Sequence, residues 1–243
     1  MPQRRLELHD SLPSTNDRAI ALAGGGAPPW TAVVAREQTA GRGRHGRAWI
    51  GGHGNLFLSV LLDCRLIERP SAWSLIAAIA TAETVEAALT SPAAVSLKWP
   101  NDVLVDGGKI AGILIEAGSG GAHGAWAVAG IGINLASAPR EAGLSAVSLA
   151  DLGVEPPDPE PLARVLVERL AHWGEAAARE GYGRIVSAWQ SRAAAAGSTV
   201  TVRLPDGPVH GRYLGLDEDG ALLVRLDGGL TRRIVTGEIV ARG

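Results

Sequence analysis

Two hydrophobic periods alternate along this chain. Short apolar runs bounded by Gly, Pro or Asp predict strands in RRLELHD (4–10), TAVVARE (31–37), NLFLSVLLD (55–63), AVSLKWP (94–100) and AWAVAGIGINLA (125–136). The segment DVLV-DGG-KIAGILIEA predicts a hairpin turning at Asp106-Gly107-Gly108. Helical spacing replaces alternation in PSTNDRAIALAGGG, where Ser14-x-x-Asp17 is a variant capping box, and in SAWSLIAAIATAETVEAAL. After a Pro-rich acidic linker, GVEPPDPEP, two more helices are expected at about 161–180 and 182–196. From Gly197 the pattern alternates again, cut by Asp-Gly turns at 206–207, 219–220 and 227–228. This is the signature of a small antiparallel barrel or sandwich. The organisation expected is a mixed domain of helices and sheet over 1–196 and a β-module over 197–243.

Composition narrows the class. With 243 residues and 46% apolar content, the chain can build one large core plus a small appendage. Its net charge of −2 argues against a dedicated nucleic-acid binder, so any arginine cluster is local. A single cysteine, Cys64, at the end of an apolar run, excludes an intrachain disulfide and a multi-cysteine zinc site and is expected to be a buried inert thiol. There is no secretory leader pattern, and no apolar run approaches the roughly 18 residues of a membrane span. A soluble, cytoplasmic protein is expected.

Two scarcities single out positions. The chain has only two lysines, Lys98 and Lys109, against 21 arginines, and only four asparagines, Asn16, Asn55, Asn101 and Asn134. Both lysines and three asparagines fall in four segments: Ser14-Thr15-Asn16, Gln38 to Trp49, Lys98 to Lys109, and Gly130 to Asn134. The second, within EQTAGRGRHGRAW, alternates Gly41, Gly43 and Gly46 with Arg42, Arg44 and Arg47. Glycines let backbone amides approach an anion while the arginines spread its charge. Two readings compete: a nucleic-acid contact, or a loop that orders over an anionic small molecule. GIGIN places glycines at alternate strand positions, which fits close approach of a ligand to the sheet; it lacks the dinucleotide-binding G-x-G-x-x-G.

In order, STN, EQTAGRGRHGRAW, GNLFLSV, LKWPNDV, GKIAGILIE and GIGIN resemble the motifs of biotin–protein ligases, covering residues 14 to 134. The C-terminal TGEI fits that family more weakly. The resemblance implies an α+β fold: a class II synthetase-like mixed sheet with flanking helices, followed by an SH3-like barrel. It implies that biotin and ATP form biotinyl-5′-AMP and that biotin is then transferred to one lysine of a biotin carboxyl carrier domain, with Mg2+ as cofactor. The expected state is a monomer or weak homodimer.

That chemistry suits the residues. A ureido ring with an apolar body asks for short neutral polar groups in an apolar pocket. Ser14, Thr15 and Gln38 are such groups, and the resemblance adds Asn16, Gly41, Arg42, Gly43, Arg44 and Lys109 as biotin-binding residues. Ser14 and Asn16 also suit helix capping, and the two roles are compatible. A carboxylate attacking a phosphate needs cations where the two anions meet. The resemblance places Arg44, Lys109 and Asp102 there as catalytic residues. It assigns the nucleotide to Arg44, Arg47, Trp49, Asn101, Asp102, Lys109, Gly112, Gly132 and Asn134. Trp49 is expected to pack on either the adenine or the ligand chain. Asp102 either meets the nucleotide end or magnesium, or accepts the proton of the acceptor lysine. The metal ligands are not legible, and His45 carries no role.

Only thirteen residues precede Ser14, too few for the helix-turn-helix of some relatives, so DNA binding is not expected. The rival readings are a lipoate-type ligase on a related scaffold and an arginine-loop nucleic-acid module. Stabilisation by biotin but not lipoate separates the first, and a gel shift across salt concentrations the second.

Overall fold

A computed structural model of the chain describes residues 4–67, 69–90, 93–120, 124–140 and 145–242. Strands β1 (Leu6–His9), β2 (Ala32–Ala35), β3 (Leu56–Leu61), β4 (Val95–Lys98), β5 (Asp102–Val105), β6 (Gly108–Ser119) and β7 (Ala125–Ile133) form one sheet. Its order is β1-β2-β3-β7-β6-β5-β4, with β1 and β2 parallel and every other pair antiparallel. The parallel pair is joined by helix α1 (Thr15–Gly24), as a parallel connection requires a crossover.

The two faces of this sheet differ. Alternation sends Val34, Leu58, Val60, Ile113, Ile131 and Ile133 to one face, where they pack on α2 (Pro70–Ala88) and α3 (Pro159–Glu180) in the main core. Val33, Leu61 and Val128 point the other way, onto Ala19 and Ala23 of α1. Helix α1 covers only part of that second face, and the rest carries the glycine-rich positions. Helix α2 is buried along nearly its whole length, which explains why its apolar residues run all round rather than in one stripe.

Two boundaries differ from the sequence reading. Helix α3 begins at Pro159, inside the expected linker, because the Asp158 side chain accepts from Glu160 N and Pro159 suits a first turn. Helix α4 spans Gly183–Gln190 and stops short of 196. There the chain is drawn to the sheet edge: Leu97 N donates to Arg192 O at 2.8 Å, and the Arg192 guanidinium forks onto Glu86. Tertiary contacts override the helix propensity of the alanines at 193–196.

Strands β8 (Thr199–Leu204), β9 (Gly207–Leu216), β10 (Leu222–Arg225), β11 (Thr231–Ile234) and β12 (Glu238–Arg242) make a second sheet, antiparallel throughout, in the order β11-β10-β9-β8-β12. Its apolar face, including Val200, Val202, Tyr213 and Leu222, joins Ile185 and Trp189 of α4 in the same core. Cys64 is half-buried rather than buried, and desolvation together with Asp63 pushes its thiol pKa up, which suits an inert thiol. No helix among the described residues is long and apolar enough to cross a membrane.

Candidate active site

A pocket opens on the partly covered sheet face, and cross-strand register builds its floor. Ser59, Gly130 and Leu114 stand in one row. In the next row Phe57, Gly132, Gly112, Asp102 and Lys98 follow one another across five strands. The glycines are required by what lies on them. A Cβ on Gly130 would overlap the Asn16 amide, and one on Gly132 or Gly112 would overlap the Trp49 indole. Trp49 thus occupies a slot cut by two glycines.

The start of α1 forms one end of the pocket. Ser14 caps the helix, accepting from Asp17 N at 3.3 Å, and also lines the pocket. Gln38 Oε1 accepts from Thr15 N at 2.8 Å and Thr15 Oγ1 at 3.0 Å. A backbone N–H can only donate, so the amide oxygen is fixed there and Gln38 has Nε2 to offer a ligand. Asn16 is buried and committed at both ends: Nδ2 donates to Glu116 at 2.6 Å and Oδ1 lies 2.5 Å from the Ser59 hydroxyl.

The arginine loop closes on itself. Gly43 N donates to Arg47 O at 2.7 Å, and Trp49 N to Gly41 O at 2.9 Å. His45 sits exposed at the tip with φ 57°. Gly41 does not line the pocket but backs it, since a Cβ there would meet Gln38 and the Trp49 carbonyl. The three arginines have different partners. Arg42 forks onto Asp17 at 2.8 and 2.5 Å, with Glu116 at 3.6 Å. Arg47 forks onto Glu238 of β12 at 3.2 and 2.6 Å. Arg44 donates to Gly237 O at 3.1 Å and has no carboxylate within ion-pair distance among the described residues. Burial works against its charge and lowers its pKa from the ordinary guanidinium value.

Opposite the helix end lies a buried carboxylate with two lysines. Trp99-Pro100-Asn101 forms the turn between β4 and β5, which sets Lys98 directly across from Asp102. Lys98 Nζ is 2.8 Å from Asp102 Oδ2, and Lys109 Nζ is 2.6 Å from Oδ1. Strict alternation would point Lys109 and Gly112 to opposite faces. A bulge corrects this: Val103 pairs with Ala111 but Leu104 with Lys109, so Ile110 is skipped and Lys109 is re-aimed into the pocket. Burial alone would raise the Asp102 carboxyl, but Lys109 and Lys98 outweigh it and hold it below the usual carboxylate range. Lys109 Nζ also stands 5.3 Å from the Trp49 ring centre, a cation–π distance.

Asn101 Nδ2 donates to Ile113 O at 2.7 Å, tying the turn to β6. Asn134 Nδ2 donates to Val147 O at 3.2 Å, while its Oδ1 is buried in the pocket wall without a partner. An orphaned acceptor of this kind calls for a donor from a ligand. Asn55 is structural: its Oδ1 accepts from the backbone of Leu135, Ala136 and Ser137.

The structure therefore brings every residue assigned to biotin, nucleotide or catalysis, except Gly41, to one pocket. It adds Gly130, Leu114 and Glu238 as lining residues, with Glu116 and Ser59 behind them. Glu116 and Glu238 stood in quoted motifs, ILIE and TGEI, but nothing local reveals their partners 100 and 191 residues away.

Neutral polar groups at one end of the pocket and cations at the other define the class of site, one suited to a ligand that is polar and uncharged at one end and anionic at the other. The profile of the Biotin/lipoate A/B protein ligase family matches residues 10–134, and that of the Biotin protein ligase C terminal domain matches 196–242. A biotin–[acetyl-CoA-carboxylase] ligase of Paracoccus denitrificans is 38% identical, over 87% of this chain and 90% of the relative. One from Mycobacterium tuberculosis is 36% identical over 98% of this chain and 89% of its own length. The structure of Aquifex aeolicus biotin protein ligase in complex with biotin and ATP superposes with a TM-score of 0.84 at 27% identity, covering 98% of each chain. The chain belongs to the biotin/lipoate A/B protein ligase family.

Proposed function

We infer that this protein is an ATP-dependent ligase that activates biotin to biotinyl-5′-AMP and transfers it to a lysine of a biotin carboxyl carrier domain. The observation that carries the reading is the pocket's polarity. Thr15 fixes Gln38 so that it offers a donor beside Ser14, while Arg44 and Lys109 supply cations to the same pocket. The first suits a ureido carbonyl and the second a carboxylate facing a phosphate.

In the first step a biotin carboxylate oxygen bonds to the α-phosphorus, and the bond to pyrophosphate breaks with its electron pair leaving on pyrophosphate. Lys109 and Arg44 oppose the repulsion of the two anions. In the second, the neutral carrier lysine nitrogen attacks the biotinyl carbonyl, the carbonyl carbon's bond to the phosphate oxygen breaks with its electron pair leaving on AMP, and the amine's proton passes to solvent. Asp102 is a poor proton acceptor while two lysines hold it below the usual carboxylate range, so its role in this reading is to hold Lys109 at the pocket until the substrate anions draw the ammonium over. Trp49, Asn101, Gly112, Gly132 and the free Oδ1 of Asn134 form the nucleotide side, with Arg47 at the phosphates. Thr15, Asn16, Arg42 and Gly43 shape the biotin side, backed by Gly41.

No group of three or more metal-ligating side chains occurs among the described residues. The acidic side chains of the pocket, Asp102 and Glu238, are committed to lysines and arginines. Magnesium in this reading arrives with the triphosphate, the usual manner for Mg2+. Residues 1–196 are the catalytic part and 197–243 the C-terminal module, and the setting is the cytoplasm.

The test is incubation with ATP, magnesium, biotin and a carrier domain, followed by mass spectrometry of the carrier. One biotinyl group per carrier is expected, blocked by changing the acceptor lysine. An unmodified carrier, or melting-point stabilisation by lipoate instead of biotin, would refute the assignment.

A further inference from the structure

Both lysines of this chain meet on one carboxylate. Asp102 is 5% exposed, with Lys109 Nζ on one oxygen and Lys98 Nζ on the other. Elsewhere the chain uses arginine for every strongly basic position. The two lysines differ in outlook: Lys109 lines the pocket, whereas Lys98 does not.

We propose that Lys98 is a positioning residue that keeps Asp102 compensated when Lys109 moves from it to the substrate. The proposal rests on the ligase reading. In that reaction the Lys109 ammonium has to reach the meeting point of carboxylate and α-phosphate, and so must loosen from Asp102. If Lys109 were the sole partner, its departure would strand an ionised carboxylate in the interior, and that penalty would hold it back. Lys98, fixed opposite Asp102 by the three-residue turn, remains behind as the counter-ion. Arg44, Arg47 and Glu238 also contribute to the field at Asp102, but none pairs with it directly.

The same geometry explains the choice of lysine. An ammonium can serve Oδ2 alone and leave Oδ1 to Lys109. A guanidinium opposite a carboxylate tends to fork onto both oxygens and would compete with Lys109 for its place.

The test is single-turnover formation of the adenylate, with biotin affinity and a thermal melt measured beside it. Lys98→Met is expected to fold, to bind biotin within about twofold of wild type, and to lose about tenfold or more in the rate of adenylate formation. Should Lys98→Met not fold, Lys98→Gln keeps a donor on Oδ2 without the charge, and a loss of the same kind is expected. The decisive arm is the double-mutant cycle. In an Asp102→Asn background there is no charge to compensate, so Lys98→Met should change the rate by no more than about twofold. The full loss persisting in that background would show that Lys98 does not act through Asp102 and overturn the proposal. So would a wild-type rate in both Lys98 single variants. Wild-type protein that forms no adenylate from biotin overturns the ligase reading and this proposal together, whereas a working wild type with indifferent Lys98 variants overturns this proposal alone.

Discussion

At the residue scale the side-chain shape of Lys109 matters as much as its charge. Its Nζ is held on Asp102, above Gly112 and beside the Trp49 ring. A guanidinium there would spread over both Asp102 oxygens, displace Lys98 and press on the indole. Lys109→Arg is therefore expected to keep the fold and bind biotin, yet to lose on the order of 10²-fold in biotin-dependent exchange of pyrophosphate into ATP, the scale of one preorganised electrostatic contact. Exchange within a few-fold of wild type would mean that Lys109 supplies charge without position. The scarcity of lysine pointed correctly to this cluster, because both lysines do converge. Scarcity of asparagine was a coarser guide. Asn16, Asn101 and Asn134 all line the pocket, but Asn55 serves backbone donors and both ends of the Asn16 amide are tied up by Glu116 and Ser59. Composition draws attention to positions and cannot say whether a ligand or the backbone uses them.

At the scale of the element, the arginine loop is a lasso fastened at both sides. Arg42 is latched to α1 through Asp17 and Arg47 to β12 through Glu238, with side chains 39% and 56% exposed. The Arg42–Asp17 pair, exposed on both sides, contributes only about 0.2–1 kcal/mol, too little to lock a segment whose tip exposes His45 and Gly46. Residues 41–53 are accordingly expected to exchange amide hydrogens readily in the ligand-free protein and to become protected when biotin and ATP are added. Equal protection in both states would argue against a gating loop. The strands, the first two helices and the Asp106-Gly107 turn were legible in the sequence, all set by local period and turn chemistry. The bulge at Ile110 was not. Alternation read without its partner strand sends Lys109 to the wrong face, and only pairing with β5 reveals the skipped residue. The early end of α4 was hidden for the same reason, since its cause is a hydrogen bond to a strand more than 90 residues earlier.

At the scale of the whole molecule, the C-terminal sheet reaches the pocket through Glu238. Glu238 and Gly237 hold Arg47 and Arg44, Trp99 Nε1 donates to Gly220 O at 3.2 Å, and Arg69 pairs with Asp219. Glu238 is the member of this set whose titration can be followed. Burial opposes its charge, but hydrogen bonding to Arg47 prevails, and its pKa lies below the ordinary glutamate value. A carboxyl with a folded-state pKa below its unfolded value, which is about 4.3, contributes its full stability above that pH. The contribution is lost as pH falls through the lower, folded-state value. Glu238→Gln removes the titration while keeping the shape. The melting-temperature gap between wild type and Glu238→Gln should therefore be complete at about pH 6, narrow below about pH 4.3, and close as Glu238 protonates in the wild type. Thermal melts of both proteins from pH 6 downward measure it directly. No gap at any pH would mean that the shape of Glu238, which glutamine preserves, and not its charge docks the C-terminal sheet against the arginine loop; a gap that stays constant as the pH falls would mean that the difference does not come from the titration of Glu238.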